Sequence, residues 1–320
     1  MRESQTERVR ETTRILAKAG FYVYHVPAGV PSIFDCVARR DEVLLIIRTV
    51  TNADSVANEV ARELKAMALA LRAVPLVVSE RAGGEDMQHG ILYTRSGLAV
   101  LTLRTMEEFL LEGVPPFVFS APGGLYVKMD GELLRRVRQE NDISLGDLAN
   151  IAGVSRRAVQ QYEDGAGATV DVAVRIEKYL RQPVIQPLDP FTRRGEDHPV
   201  GAWVEEELGR LRGQERRVAD QLGALGFKVV PTQRCPFDAL GTRMSDRLIT
   251  GIEEAQSPLG SPREEVLETL ARITEARPVI FSGRKQRKKR RVPVVSVGEL
   301  DGLGDPNRLL DLIDDRQQGK

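Results

Sequence analysis

Four polar side chains at close spacing carry the chemistry that reads the edges of nucleic-acid bases. Arg156 and Arg157 are followed by Gln160 and Gln161 within the next few residues of the chain. An arginine can donate two hydrogen bonds to a guanine, a glutamine can make two with an adenine, and both side chains can bind phosphates. On a helix, these residues lie on the exposed face of its first two turns. We therefore expect them to form a surface that binds double-stranded DNA.

Two short helices joined by a tight turn must hold this surface, and the predicted pair runs from Ile143 to Gly165. Ser144 is expected to cap the first helix, with Asp147 as its capping-box partner, and Ser155 is expected to cap the second helix. Both serines are included among the DNA-binding candidates.

The turn and the apolar residues agree with this assignment. Gly153 stands at the turn, where a positive φ favours glycine. Flanking helices are predicted at Gly131–Asn141, capped by Asp130, and at Thr169–Arg181, because their apolar residues recur at helical spacing. The residues expected to face the core of the helical pair are Leu148, Val154, Val159 and Tyr162.

These motifs resemble the helix-turn-helix of the phage repressors and Cro, the XRE family, over about residues 125–182. The resemblance implies a five-helix domain whose second motif helix enters the major groove of DNA. Two other interpretations stay open at this point. The segment could be a helical hairpin with the same caps and a purely structural role, or a relative that binds only protein.

The whole chain limits the other function classes. Its 320 residues allow two or three domains, and its equal numbers of acidic and basic residues give a formal net charge of zero, so nucleic-acid binding must come from local patches. Cys36 and Cys235 form no metal-binding pair, which fits a reducing, cytoplasmic setting. No apolar run approaches about 18 residues, and no nucleotide-binding motif is present. We expect no cofactor, no metal and no membrane partner.

An internal repeat flanks the helical pair. Phe34-Asp35 and Phe237-Asp238 each follow a helix that ends in glycine and a strand. The same number of residues separates Asp35 from Pro75 and Asp238 from Pro278, and a helix is predicted in both intervals, at 58–73 and 261–276. Equal spacing of the same elements favours a duplicated α/β domain, although short α/β units can look alike by chance.

Each repeat resembles the PD-(D/E)xK nuclease fold, as in archaeal Holliday-junction resolvases. The resemblance implies Asp35 and Asp238 as metal-binding carboxylates, followed on the next strand by an acidic residue and a lysine. Ile46 and Arg48 stand there in the first repeat, and the strand LITGIEEA of the second repeat has no lysine, although Glu253 and Glu254 are near. An apolar side chain cannot bind a metal and arginine does not release its proton. We expect both repeats to be catalytically inactive, with the two aspartates as solvated or capping carboxylates.

A dense cationic run, RKQRKKRR at Arg284–Arg291, lies between two apolar segments and is predicted to be an exposed loop between strands. Such a loop can neutralise phosphates and add affinity without sequence preference, or it can simply be solvated. The DNA-binding candidates in it are Arg284, Lys285, Arg287, Lys288 and Lys289.

Proline-rich segments at Val114–Gly124 and Gln182–Gly201 are predicted to be linkers. They divide the chain into a degenerate nuclease-like α/β domain at 1–122, an all-α helix-turn-helix domain at 123–190, and a second nuclease-like domain at 191–320.

This arrangement resembles a family of archaeal helix-turn-helix regulators of about this length. The resemblance implies a sequence-specific transcriptional regulator that binds double-stranded DNA. Repressors of this type gain affinity from two half-sites, so we expect a homodimer. The flanking domains are expected to supply dimerisation, phosphate contacts or the sensing of an effector that the sequence does not identify. A nuclease or DNA-repair factor that is only targeted by the helix-turn-helix is the alternative, and the missing acidic residue and lysine count against it. An antitoxin-like or scaffolding protein is a third interpretation.

Overall fold

The computed structural model describes residues 2–192, 200–253, 261–284 and 290–318. The chain forms two compact units. Unit 1 consists of residues 1–49, 56–76 and 193–320, and unit 2 of residues 50–55 and 77–192. This grouping differs from the three sequential segments 1–122, 123–190 and 191–320, whose independent folding stays a prediction.

The first half of unit 1, residues 2–49 and 56–76, contains three antiparallel strands, a fourth strand beside them in the sheet, and two helices. Its strand order is β1-β2-β3-β4. The helix predicted from Asn58 ends at Leu71, because Arg72 adopts a left-handed φ of 54° and closes it. The elements are α1 (Arg2–Lys18), β1 (Tyr22–His25), β2 (Cys36–Arg40), β3 (Val43–Thr49), α2 (Asn58–Leu71) and β4 (Val74–Val78), of which the last two residues belong to unit 2.

Unit 2 begins with short strands and continues into the helical region. Strand β7 pairs with β8 in antiparallel and with β9 in parallel orientation, and β10 pairs antiparallel with β9, β11 and β12. The elements are β5 (Arg81–Ala82), β6 (Glu85–Asp86), β7 (Ile91–Arg95), β8 (Leu98–Leu101), α3 (Leu103–Glu107), β9 (Val118–Ala121), β10 (Gly124–Met129), α4 (Gly131–Glu140), α5 (Leu145–Ala152), α6 (Arg156–Glu163), β11 (Gly167–Thr169), α7 (Val170–Leu180) and β12 (Ile185–Gln186).

The second half of unit 1, residues 200–318 as far as they are described, repeats the first and extends it. Its strand order is β13-β14-β15-β16-β17, and β15 runs parallel to β16. The elements are α8 (Val200–Arg210), α9 (Gly213–Ala224), β13 (Lys228–Pro231), β14 (Ala239–Arg243), β15 (Asp246–Glu253), α10 (Ser261–Thr274), β16 (Arg277–Ser282), β17 (Val294–Ser296), α11 (Val297–Asp301) and α12 (Pro306–Gln318).

The two halves of unit 1 contain equivalent hydrogen bonds. Asp35 Oδ2 accepts the backbone N–H of Thr49 at 2.6 Å, and Asp238 Oδ2 accepts that of Ile252 at 2.6 Å. Residue pairs fourteen positions apart therefore make the same contact in both halves. The glycines that end α1 and α9, Gly20 and Gly226, share a φ of 83°. These matches support the predicted duplication.

The halves also pack on one another, and each contributes one helix to the interface. α2 packs against β13 and β14, and α10 packs against β1 and β2. An interface in which both partners present the same element is isologous, as in a two-fold symmetric dimer. The interface includes an ion pair of 2.6 Å between Arg39 and Glu275, and buried Glu63 accepts the backbone N–H of Gln233 at 2.9 Å. Unit 1 is thus a pseudo-dimer made within one chain.

The helical region of unit 2 has one buried core formed by α4–α7 and β10. Residues 118–192, all of which the structure describes, contain these four α-helices rather than the five that the XRE resemblance implies. Strand β11 lies between α6 and α7, and the helix predicted at Thr169–Arg181 is observed at Val170–Leu180.

The prediction that these two segments are linkers is wrong where they form strands of this region. Val118–Ala121 forms β9 and Ile185–Gln186 forms β12, and both pair with β10. These segments are short and rich in proline, so their strand structure depends on a partner that local composition does not reveal. Residues 193–199 of the second predicted linker lie outside the described ranges. Among the helices that the structure describes, none is both long and apolar enough to cross a lipid bilayer.

Candidate nucleic-acid interface

The helical pair α5–α6 is fixed by the predicted caps. Ser144 Oγ accepts the N–H of Asp147 at 3.1 Å, and Asp147 Oδ2 accepts the N–H of Ser144 at 3.2 Å, which completes a capping box. Ser155 Oγ accepts the N–H of Ala158 at 3.1 Å at the start of α6. Gly153 closes α5 with a left-handed φ of 69°. Both helices therefore begin at the predicted caps, and α5 ends at the predicted glycine.

The exposed face of α6 carries the four predicted base-reading side chains. Arg156, Arg157, Gln160 and Gln161 are all exposed, whereas Val159 between them is fully buried. Leu148 is also fully buried, and Val154 and Tyr162 pack against the same core. The structure brings the four polar residues together on one surface. Their contacts with DNA stay a prediction.

Arg156 extends from α6 across the first turn of α5. A Cβ added to Gly146 would lie 2.8 Å from Arg156 Nε, which is closer than side chains pack. The hydrogen bonds from Ser144 lower the pKa of the neighbouring Asp147, and the positive charge of Arg156 lowers it further. The glycine leaves room for the guanidinium, and the carboxylate attracts it.

A buried ion pair that we did not predict holds α6 against α4. Glu163 is 6% exposed, and its carboxylate accepts hydrogen bonds from Arg138 Nε at 2.5 Å and from Arg135 Nε at 3.3 Å. A buried carboxylate needs such partners to offset its lost hydration. Its spacing of four residues from Val159 places it on the buried face of α6, and that was the available signal in the sequence.

Gly131 is a second position that holds α6 in place and that we did not predict from the sequence. A Cβ at Gly131 would lie 2.3 Å from the carbonyl oxygen of Glu163, so only glycine allows the first turn of α4 to approach the end of α6 this closely. At the other end of the pair, Arg175 Nε donates to the carbonyl oxygen of Ala152, the last residue of α5, at 3.0 Å. The close approach of Gly131 positions α6 against α4, and the hydrogen bond of Arg175 ties the end of α5 to α7.

The site of Asp35 in the first half of unit 1 does not fit a divalent metal. Arg48 Nη1 lies 3.5 Å from Asp35 Oδ1, and Ile46 is buried with no oxygen to offer. Burial raises the pKa of Asp35, and the charge of Arg48, the N–H of Thr49 and the nearby His25 partly offset that rise. A guanidinium thus stands beside the carboxylate where a metal would need a second acidic ligand.

Asp238 in the second half is also paired with an arginine and does not fit a divalent metal. Arg263 Nη2 donates to Asp238 Oδ1 at 2.5 Å. Glu253 is instead paired with Arg290 Nη1 at 2.5 Å, and Glu254 lies outside the described residues. In the part of the chain that the structure describes, no group of three or more His, Cys, Asp or Glu residues could hold a metal ion.

The basic run is only partly described. Arg284 is exposed, and Lys285, Arg287, Lys288 and Lys289 lie outside the described residues. The prediction of an exposed loop is wrong at Arg290, whose side chain is 19% exposed and pairs with buried Glu253 and Glu264. A run of basic residues predicts an exposed loop only where no acidic side chain from elsewhere in the fold pairs with one of them.

Two family matches cover the regions described above. Residues 5–116 match the family described as PD-(D/E)XK superfamily domain, and residues 134–184 match the family described as helix-turn-helix. The resemblance of the first repeat to the nuclease fold and that of the helical pair to the helix-turn-helix are thereby confirmed, and the resemblance of the second repeat stays a prediction.

Three similar proteins carry the name "Putative HTH-type transcriptional regulatory protein". That of Archaeoglobus fulgidus is 37% identical over 84% of this chain and 83% of its own length. The chain belongs to this archaeal family. The relative in Haloquadratum walsbyi is 34% identical over 98% of both chains, and that in Methanocaldococcus jannaschii is 32% identical over 93% of both. The family resemblance thus extends over the whole arrangement of repeats and helix-turn-helix. No solved structure gives a significant match.

Proposed function

We propose that the protein is a sequence-specific DNA-binding transcriptional regulator that inserts α6 into the major groove. The exposed face of Arg156, Arg157, Gln160 and Gln161 on a helix with a fixed position is the observation that carries this proposal. The names of the archaeal relatives support it. A purely structural hairpin gives no reason for four long polar side chains on one exposed face.

In this proposal Arg156 and Arg157 bind guanine edges or phosphates, and Gln160 and Gln161 bind adenine edges or phosphates. Ser144 and Ser155 stand at the N-termini of α5 and α6, whose N–H groups and positive dipole ends favour phosphate. The basic residues from Arg284 to Lys289 add affinity that depends on salt and is independent of sequence. Arg290 has no part in that contact, because it is committed to Glu253 and Glu264.

The nuclease-like halves serve as a scaffold and not as an enzyme in this account. Both aspartates that correspond to metal ligands have arginine partners. The alternative of a targeted nuclease is therefore not favoured. We further propose that the regulator binds DNA as a homodimer, since repressors of this type gain affinity from two half-sites. The contact between its copies would use surfaces other than α2 and α10, which already pack within the chain.

Selection of duplexes from a random DNA pool by the full-length protein tests the proposal. We expect enrichment of one short motif, and we expect its loss when Arg156 and Arg157 are both changed to Ala. Arg136→Ala is the matched control, because Arg136 is an exposed arginine on α4 and not on α6. Recovery of an unenriched pool by the parent protein would contradict sequence-specific binding.

A further inference from the structure

The duplication of unit 1 allows the surface charges of its two halves to be compared position by position. The spacing from Asn58, the start of α2, to Ser261, the start of α10, equals the spacing between the starts of β2 and β14. The turns after these strands also agree, since Asp41 has a φ of 51° and Met244 a φ of 53°. Each residue of the first half thus has an equivalent in the second.

The exposed side of α2 carries basic residues at helical spacing. Arg62, Lys65, Leu69 and Arg72 recur at intervals of three and four residues, so they form one stripe along the helix. Partial burial lowers the pKa of Lys65, and the positive charge of Arg62 lowers it further. Glu59, an exposed acidic residue, lies in the first turn of the helix. Because like charges on adjacent turns destabilise a helix, folding alone does not explain this stripe.

The strands on which α2 packs extend the basic stripe. α2 contacts β13 and β14, which carry Lys228 and Arg243 near the turn between β14 and β15. Neither Lys228 nor Arg243 forms an ion pair with a residue that the structure describes. Two apolar side chains, Leu69 at 60% and Met244 at 85%, are exposed on the same elements. We call the five basic residues of this region the α2 surface: Arg62, Lys65, Arg72, Lys228 and Arg243.

The equivalent surface around α10 carries the opposite charge. The equivalents of the three basic residues on α2 are Glu265, Glu268 and Glu275. On the strands, Tyr22 corresponds to Lys228, because each lies opposite the equivalent residue of the next strand, and Arg40 corresponds to Arg243. One of the glutamates, Glu275, is moreover paired with an arginine of β2 at 2.6 Å. The shared fold therefore does not require a basic surface at this place.

We propose that the α2 surface binds the phosphate backbone of duplex DNA. This rests on the proposed function, which makes DNA the polyanion that the protein meets. Lysine and arginine side chains neutralise phosphates and release counterions, and this gives affinity that is independent of base sequence. An acidic protein that packs on Leu69 and Met244 is the competing partner, and five basic residues in a DNA-binding regulator favour DNA.

The salt dependence of binding to a duplex without the operator motif tests the inference. The full-length protein is compared with a variant that combines Arg62→Gln, Arg72→Gln and Lys228→Gln, all at exposed positions. The slope of log K against log salt should fall by about 0.9 for each lost phosphate contact, and so by up to about 2.7. Fluorescence anisotropy of the labelled duplex measures it, and thermal denaturation checks that the variant is folded.

The matched control combines Arg10→Gln, Lys18→Gln and Arg308→Gln. These three residues are exposed, belong to unit 1 and lie outside the α2 surface. The control removes the same net charge, and its slope should equal that of the parent protein. A change of slope confined to the first variant would assign the phosphate contacts to the α2 surface.

A parent-like slope in the folded first variant, or an equal loss in both variants, would overturn the inference. So would a loss of binding to poly-L-glutamate together with unchanged DNA binding, because the surface would then serve an acidic protein. The duplex carries no operator, so these results do not depend on reading of sequence by α6. A failure of the proposed function would instead appear as the absence of an enriched motif in the selection experiment.

Discussion

The guanidinium of Arg156 on α6 lies over Gly146 on α5, in the space that a larger side chain at position 146 would fill. A Cβ at Gly146 would stand 2.8 Å from Arg156 Nε and 3.1 Å from its Cζ. Gly146 has an ordinary helical backbone and needs no positive φ. The presence of glycine at position 146 is therefore explained by the space that Arg156 occupies and not by the backbone conformation.

Gly146→Ala should weaken operator binding without lowering stability. The new methyl group displaces Arg156, and the expected loss of affinity is about tenfold, at the lower end of the effect of a lost base contact. The melting temperature should stay level or rise, because alanine favours a helix over glycine by up to about 1 kcal/mol. Gly209→Ala on α8 is the control, since its added Cβ would point into open space. Parent-like operator affinity in Gly146→Ala would show that the position of Arg156 is not used.

Glu163→Gln should lower stability before it affects DNA binding. The substitution leaves Arg138 facing a neutral group in a buried position. We expect a loss at the lower end of the roughly 3–5 kcal/mol seen for broken buried pairs, because the second partner, Arg135, is partly solvated. Thermal or urea denaturation measures it.

The matched variant for that measurement is Asp164→Asn. Asp164 also pairs with Arg135, at 2.8 Å, but its side chain is 60% exposed. An exposed pair contributes no more than about 1 kcal/mol. If both variants lose the same stability, Glu163 does not hold α6 in place.

The regulator should be a homodimer in solution and on DNA. Light scattering is expected to report twice the chain mass of 35.5 kDa, because paired recognition helices are needed to contact two half-sites about one turn of DNA apart. A monomer that still binds a palindromic operator at nanomolar concentration would argue against this assembly.

Neither nuclease-like half should cleave DNA. With Mg²⁺ or Mn²⁺, we expect no product from duplex, single-stranded or branched substrates, because Asp35 and Asp238 pair with arginines and no group of three or more acidic, His or Cys residues could hold a metal ion among the residues that the structure describes. Gel assays on labelled substrates provide the measurement. Cleavage by the parent protein that disappears in Asp35→Asn or Asp238→Asn would restore the nuclease interpretation.

Local signals in the sequence were sufficient to predict the parts of the interface that depend on neighbouring residues. The caps at Ser144 and Ser155 and the left-handed turn at Gly153 each involve contacts within a few residues. The exposed face of α6 follows from helical periodicity alone. The repeat could be predicted because the second half preserves the spacing around Asp238.

Contacts between distant residues were not predictable in the same way. Gly131 contacts the end of α6, and Glu163 contacts α4, more than twenty residues away. Arg290 appeared to belong to an exposed cationic run because its partners Glu253 and Glu264 lie far off in sequence. The grouping of residues 2–49 and 56–76 with the second half of unit 1 likewise depends on α2 and α10 packing on the opposite half.

The operator affinity of variants on α6 shows whether this helix reads DNA. With the motif obtained by selection, we expect Arg156→Ala and Arg157→Ala each to lose about 1–3 kcal/mol of specific binding, roughly ten- to a hundredfold. Their melting temperatures should match the parent, because both side chains are exposed, and Arg136→Ala should bind like the parent. If Arg156→Ala and Arg157→Ala bind the operator as tightly as the parent protein, α6 does not read the DNA and the account is wrong.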